Sequence, residues 1–381
     1  MLEIAGELLD TLAAGHRVAV ATVTRVLGSA PRTLGTAMAV TETGTVIGSI
    51  SGGCVEGAIY ESAQEVLETG RSRLTEFGVS DDDAFAVGLS CGGTVEVFLA
   101  EFAPAGQPNA LPGAVRAQLE RAAAGQAAGI ALVVAGAGAG RMLVPAAAVP
   151  EEPAEEAAEE SAGADEPAGL GADAVRRIRA ELRAGVTAGR STVGTLDCDG
   201  VTSRVLYLAA QTPPRCLIFG AVDFASALSA AASLLGYRVT VCDARAVFAT
   251  PDRFPTAAEV VVEWPSDYLA RTETDARTVV CVLTHDEKFD LPLLTTALNL
   301  DVAYVGAMGS RRTHERRMLR LREAGLSAAA LARLHSPIGL DLGAGSPAET
   351  AVSILAEVLA ARSGSSAQPL RDRPGPIHPS A

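Results

Sequence analysis

The chain has 381 residues, 48% of them apolar and 20% charged, with a formal net charge of −14. That length exceeds what one hydrophobic core usually serves, so two domains are expected. The acidic balance argues against nucleic acid or an anionic membrane as the main partner. No apolar run reaches the roughly 18 residues of a membrane span. Glu3, Glu7 and Asp10 stand where a signal peptide would be positive, so a cytoplasmic protein is expected.

Residues 2–14 carry a helical apolar period that Gly15 stops. Strand patterns follow at 18–26, 37–40 and 46–50, the last two joined by a hairpin turn at 41–44. After Gly52, Gly53 and Cys54 comes a helix over 55–69 with Gly70 as its stop. A second glycine-rich loop, 88–93, leads into a strand over 94–102. A helix near 114–124 and a strand at 130–135 follow, and Gly136, Gly138 and Gly140 read as a turn. The stretch around 146–172 is built mainly of Glu, Ala, Pro and Gly and reads as a disordered acidic insertion, with a partner-binding segment as the alternative. Residues 1–210 are therefore expected to form a mixed α+β domain interrupted by that insertion.

From 213 to 362 strands and helices alternate. Strands fit 216–219, 238–242, 259–262, 278–283 and 302–305; helices fit 224–235, 291–299 and 312–324. This α/β alternation predicts a Rossmann-like, doubly wound parallel sheet. Ser346, Pro347 and Glu349 combine an N-cap, a first-turn proline and a capping box for a last helix to about 362. Residues 363–381 read as a disordered tail.

The six cysteines form no C-x-x-C pair, which disfavours a structural zinc site. Cys216, Cys242 and Cys281 sit in apolar strand patterns and read as buried; Cys198 lies in a turn without an evident partner. Cys54 opens a helix after two glycines, where the positive helix end favours thiolate, the form that binds metal or accepts sulfur. Cys91, between Ser90 and Gly92, is the second candidate; for both, a buried inert thiol is the alternative. Arg32 closes a tight Gly28–Arg32 turn and is placed to reach the same ligand.

The first strand-to-helix turn of the second domain, Gly220 to Ala225, lacks the central glycine of a dinucleotide fingerprint: Val222 stands there, followed by acidic Asp223. Asp243 alone matches the acid that would hold a ribose, so ordinary NAD(P) binding is disfavoured. Ligands of open α/β sheets bind beyond the carboxyl ends of the strands. Three strand-end segments carry unusual residues: Thr284–Lys288 with His285 and Lys288, Gly306–Thr313 with Gly309, Ser310, Arg311 and Arg312, and Pro337–Pro347 with Asp341. Arg311 and Arg312 fall at a helix start, where each costs about 0.3–1 kcal/mol against the dipole unless an anion compensates. Six arginines against Glu315 and Glu323 give residues 311–323 a local charge of +4. An anion site is expected there, against the alternative of a solvated face with an Arg311–Glu315 pair.

Gly28-Ser-Ala-Pro-Arg32, Ile50-Ser-Gly-Gly-Cys-Val-Glu56 and Leu89-Ser-Cys-Gly-Gly93, with Leu283-Thr-His-Asp-Glu-Lys288, Tyr304–Thr313 and Pro337–Asp341, resemble the motifs of the XdhC/CoxI family. The resemblance implies an XdhC/CoxI-type first domain and a cytoplasmic chaperone that binds and protects molybdenum cofactor, as molybdopterin or a nucleotide form. It implies support for exchanging a molybdenum oxygen for sulfur through a cysteine desulfurase, and delivery to a molybdenum hydroxylase such as xanthine dehydrogenase. Cys54 would then be a molybdenum or sulfur contact, and a homodimer is open. The turn at Gly220–Ala225 departs from the family's more glycine-rich pattern and from the histidine that often stands at the place of Asp223. Two other readings compete: an NAD(P)-dependent oxidoreductase acting on a small substrate, and a docking scaffold that holds no cofactor.

Overall fold

The computed structural model describes residues 1–27, 33–53, 55–78, 94–146, 170–198 and 200–374. It divides into two compact units, Met1–Thr212 and Pro213–Pro374. The expected Gly28–Arg32 turn, Cys54, the 88–93 loop with Cys91, most of the acidic insertion and the end of the tail lie outside the described residues.

The first unit carries helices α1 (Ala5–Ala13), α2 (Glu56–Thr69), α3 (Gly113–Ala123) and α4 (Ala172–Ala188). Its strands are β1 (Val18–Leu27), β2 (Ala37–Thr41), β3 (Val46–Gly48), β4 (Arg73–Gly78), β5 (Thr94–Phe102), β6 (Ala128–Gly136), β7 (Met142–Leu143), β8 (Thr192–Cys198) and β9 (Val201–Ala210). Two antiparallel sheets result, in orders β3-β2-β1-β5-β4 and β7-β6-β9-β8. β1 is apolar on both faces for a reason: Val18 and Val20 pack with α1, α3 and the second sheet, while Ala19, Ala21 and Val23 pack under α2. α4 covers the second sheet through Ala174, Ile178 and Leu182, one helical stripe. Leu170, within the span expected for the insertion, is buried against that stripe.

The second unit has six parallel strands: β10 (Arg215–Phe219), β11 (Arg238–Asp243), β12 (Glu259–Val262), β13 (Val279–Val282), β14 (Tyr304–Ala307) and β15 (Leu334–His335). Their order is β12-β11-β10-β13-β14-β15, so the winding reverses between β10 and β13. α5 (Asp223–Leu234) and α10 (Pro347–Ser363) cover one face. The other face is covered by α6 (Pro265–Arg271), α7 (Glu287–Ala297), α8 (Arg311–Glu323) and α9 (Ala328–Ala332). The doubly wound expectation holds. Cys216, Cys242 and Cys281 are buried in it, and burial pushes the Cys242 thiol up to about 12, so it stays protonated and inert. Cys198 is half-buried at the end of β8.

Among the boundaries that differ from expectation, two have a clear local cause. α7 begins at Glu287 rather than near 291, because Asp286 caps it by accepting the Lys288 amide at 3.1 Å, and Pro292 sits inside the helix. β14 runs to Ala307, two residues past the expected end, held by its pairing with β13 as far as Val282. The capping box at Ser346 and Glu349 forms as expected.

Candidate functional site

The winding reversal leaves the carboxyl ends of β10 and β13 without a helix crossing between them, which is where doubly wound sheets open a crevice. Gly220 closes the β10 end of it. A Cβ there would meet Thr284 at 2.8 Å, and its φ of +110° lies in the range glycine tolerates.

Three consecutive strands, β13, β14 and β15, deliver the three expected segments to this end of the sheet. His285 is exposed just after β13 and makes no hydrogen bond among the described residues. Lys288 is in the first turn of α7, its ammonium 3.2 Å from Asp286 and stacked over the Phe289 ring at 4.8 Å. After β14, Gly309 takes a φ of +150° and leads into Ser310. The Ser310 hydroxyl accepts the Thr313 amide at 3.1 Å, capping α8. Arg311 and Arg312 are the first two residues of that helix, both exposed, and neither joins an ion pair among the described residues; the Arg311–Glu315 pair does not form. Asp341 is exposed in the loop after β15. That loop is tied to α10: Leu340 and Ser353 exchange hydrogen bonds, and Glu357 accepts from the Gly339 amide at 2.7 Å and the Tyr304 hydroxyl at 2.5 Å.

Of the six arginines in α8, three are neutralised by identified partners. Arg316 pairs with Glu287 at 2.6 Å and Arg320 with Glu323 at 3.2 Å. Arg317 is buried, with one guanidinium nitrogen 3.0 Å from Asp290 and 2.9 Å from the Met308 carbonyl, and the other 3.0 Å from Ser336. Asp290 also accepts from Thr284. Burial raises the Asp290 pKa, and hydrogen bonds from Thr284 and Arg317 work the other way. One buried arginine thus fastens together the segments that carry His285, Ser310 and Asp341.

Asp290 and Arg317 were not singled out in the sequence, yet both lie on apolar stripes: Asp290 with Leu293, Leu294 and Ala297, and Arg317 with Leu321. Charged residues at core positions of a helix were the available signal.

The Asp243 carboxylate does not behave as a free ribose acceptor. Its two oxygens take the amides of Ala221 and Arg245 and two guanidinium nitrogens of Arg245, at 2.7–2.9 Å. Burial opposes its ionisation, but these hydrogen bonds outweigh it and the pKa is lowered. All four lone-pair positions of the carboxylate are in use.

In the first unit, the loop before α2 folds around Glu56. That side chain accepts from the amides of Ser51, Gly52 and Gly53 and the hydroxyls of Ser49 and Ser51, at 2.5–2.8 Å. Burial raises its pKa, but these donors prevail and hold it far below the ordinary 4.5. The nest of amides in front of this helix is therefore filled by the chain's own carboxylate. Glu56→Gln, which can accept fewer of the five, is expected to destabilise the first unit by about 2 kcal/mol. Because the folded pKa is depressed, this contribution is present above pH 4.5 and fades as pH falls through the folded value. Acid titration of thermal stability should therefore show the gap between wild type and Glu56→Gln closing below pH 4.5; a gap independent of pH would contradict it.

Among the described residues no cluster of three or more His, Cys, Asp or Glu side chains could hold a metal, and no helix is long and apolar enough to cross a membrane. Arg32, Cys54 and Cys91 lie outside the described residues.

Comparison with known proteins places these features. Residues 11–78 match the XdhC and CoxI family, and residues 216–358 match the XdhC Rossmann domain. The molybdenum cofactor insertion chaperone PaoD of Escherichia coli is 26% identical over 358 residues, 93% of this chain and 86% of PaoD. The uncharacterized E. coli protein YqeB is 32% identical over 171 residues, 45% of this chain; the match spans only 31% of YqeB. A crystal structure of a xanthine dehydrogenase from Bacillus halodurans superposes with a TM-score of 0.65 at 25% identity, over 96% of this chain and 98% of that one.

Proposed function

The chain belongs to the XdhC and CoxI family, and on that footing we propose that it is a chaperone of molybdenum cofactor, which it holds as cargo rather than as a resident group. The observation that carries the reading is the start of α8: two exposed arginines without ion-pair partners among the described residues, beside a capped helix end, at the ligand-binding edge of the sheet. A pterin cofactor bears a phosphate, and guanidinium groups with helix-end amides are the donors a phosphate selects. In this reading Ser310, Arg311 and Arg312 bind the phosphate, while Gly309 lets the chain turn tightly into the helix. His285, Lys288 and Asp341 line the neighbouring strand ends as polar contacts. Arg32 adds a further cation, and Cys54 and Cys91 supply the thiols from which one would contact molybdenum or its sulfur.

The delivery steps extend the same proposal. The chaperone guards the cofactor while a cysteine desulfurase provides sulfur, then passes it to a molybdenum hydroxylase of the xanthine dehydrogenase type, in the cytoplasm, as a monomer or a homodimer. Its similarity to PaoD along most of both chains supports this role. No step requires the protein itself to turn over a substrate.

The test is purification from a host that makes the cofactor and from one that cannot. Molybdenum and pterin should accompany the protein from the first host only, and Cys54→Ala should reduce the molybdenum. A protein free of both from the producing host would overturn the reading. The oxidoreductase alternative separates on a second titration. A pyrophosphate at the β10–α5 turn would meet Val222 and the exposed Asp223 instead of an open glycine turn. NADH is therefore expected to bind no more tightly than AMP; a tenfold tighter NADH would favour the oxidoreductase.

A further inference from the structure

Beyond the phosphate contacts, the opposite side of the winding reversal carries a second group of side chains. Arg245 and Trp264 each stand two residues past a pair of strand residues in register, Asp243 of β11 and Val262 of β12. Both therefore emerge side by side at the carboxyl edge of the sheet. Arg245 is held flat by its two-pronged bond to Asp243 and lies over the Phe248 ring, 4.6 Å from its centre. Trp264 packs on Phe289 of α7 with ring centres 4.6 Å apart. Asp286, the cap of α7, is close enough to Arg245 to help raise its pKa, behind the larger effect of Asp243. The group thus faces the same crevice as His285 and Lys288.

These rings are unusually open for what they are. Aromatic residues make up 4% of the chain and Trp264 is its one tryptophan, yet Trp264 is 41% and Phe248 40% exposed. Large aromatic side chains normally bury their faces, and a guanidinium locked in its plane presents a flat surface on which another ring can stack. The Asp243–Arg245 pair explains the lock: the carboxylate that could have held a ribose instead fixes a stacking plate.

We propose that Arg245, Phe248 and Trp264 form a subsite for a planar heteroaromatic ring, the pterin or the nucleobase of a phosphate-bearing ligand. The inference rests on the chaperone reading for the identity of that ligand, but not for the existence of the subsite. The ring lies against the Arg245 plate and the open part of Trp264. Phosphate bound at Ser310–Arg312 would sit three strand spacings away, about 14 Å.

The experiment uses the full chain. GMP, neopterin and inorganic phosphate are titrated separately, with the nucleotide followed by quenching of Trp264 and neopterin, itself fluorescent, by equilibrium dialysis. Saturable binding of GMP identifies a nucleobase subsite and saturable binding of neopterin a pterin subsite. Phosphate alone should leave Trp264 fluorescence unchanged. Loss of stacking in Phe248→Ala, which keeps the Asp243–Arg245 pair, and in Arg245→Ala should each weaken ring binding by about tenfold. If neither ring compound binds saturably, or if both variants bind as wild type does, the proposal is overturned. Ring binding by a protein that carries no molybdenum or pterin from a producing host would sink the chaperone reading alone. The converse result, cofactor present and no ring binding, would sink this subsite alone.

Discussion

Arg317→Met is expected to lower the unfolding midpoint of the second unit by about 10 °C. Arg317 and Asp290 are each within a few per cent of complete burial, so removing the arginine leaves a carboxylate in the core with only Thr284 to satisfy it. Breaking a buried pair in this way costs about 3–5 kcal/mol, and each kcal/mol moves the midpoint of a domain this size by about 2–4 °C. Part of the loss falls on geometry, because the same guanidinium holds the Met308 carbonyl and Ser336. Adding Asp290→Leu should recover much of the stability, since replacing both charges with apolar groups removes the stranded carboxylate. Trp264, the chain's one tryptophan, lies in the second unit, so its fluorescence follows that unit through a melt. A single variant that melts with the wild type, or a double variant less stable than the single, would show that the pair is not what binds these strand ends together.

This network explains why part of the site was legible in the sequence and part was not. The parallel sheet declared itself through apolar runs separated by helical periods, and the starts of α8 and α10 through Ser310 and the Ser346–Glu349 box. Those are local signals, set by residues within one turn of each other. Strand β4 gave none, because its pairing with β5 leaves only Phe77 buried and its apolar and polar residues do not alternate. α6 is a single short helix whose burial depends on neighbours distant in sequence.

 Tyr268 and Leu269 are buried there against the parallel strands and α7 on the same face of the sheet. The arginine-rich helix is legible as a cationic helix start, but its local charge of +4 counts only the acids within the helix itself. Arg317 is instead consumed by Asp290, a partner 27 residues away that only the fold brings near. Asp243 shows the same limit: its position matched a ribose-binding acid, and its chemistry was decided by Arg245 two residues on. Glu56 has no role that its place in the Ile50–Glu56 motif makes evident, because its five donors come from a loop whose curvature no local pattern encodes.

The second large effect is expected at the start of α8, and there stability and binding should move apart. Arg311 and Arg312 each oppose the helix dipole at a cost of about 0.3–1 kcal/mol. Neither has an ion-pair partner among the described residues to offset that cost. The double variant Arg311→Ala, Arg312→Ala should therefore melt at the wild-type temperature or slightly above it. A structural role would predict the opposite sign. Each guanidinium that holds a phosphate is worth about 1.5–3 kcal/mol, so losing both should weaken retention of a phosphate-bearing ligand by at least a hundredfold.

The decisive measurement is the molybdenum and pterin content of this double variant, purified beside the wild type from the same cofactor-producing host, with a melting curve for each. Wild type carrying both components, and a variant equally stable but nearly empty, is the predicted result. A variant that stays as fully loaded as wild type would contradict the assignment of cofactor binding to the start of α8.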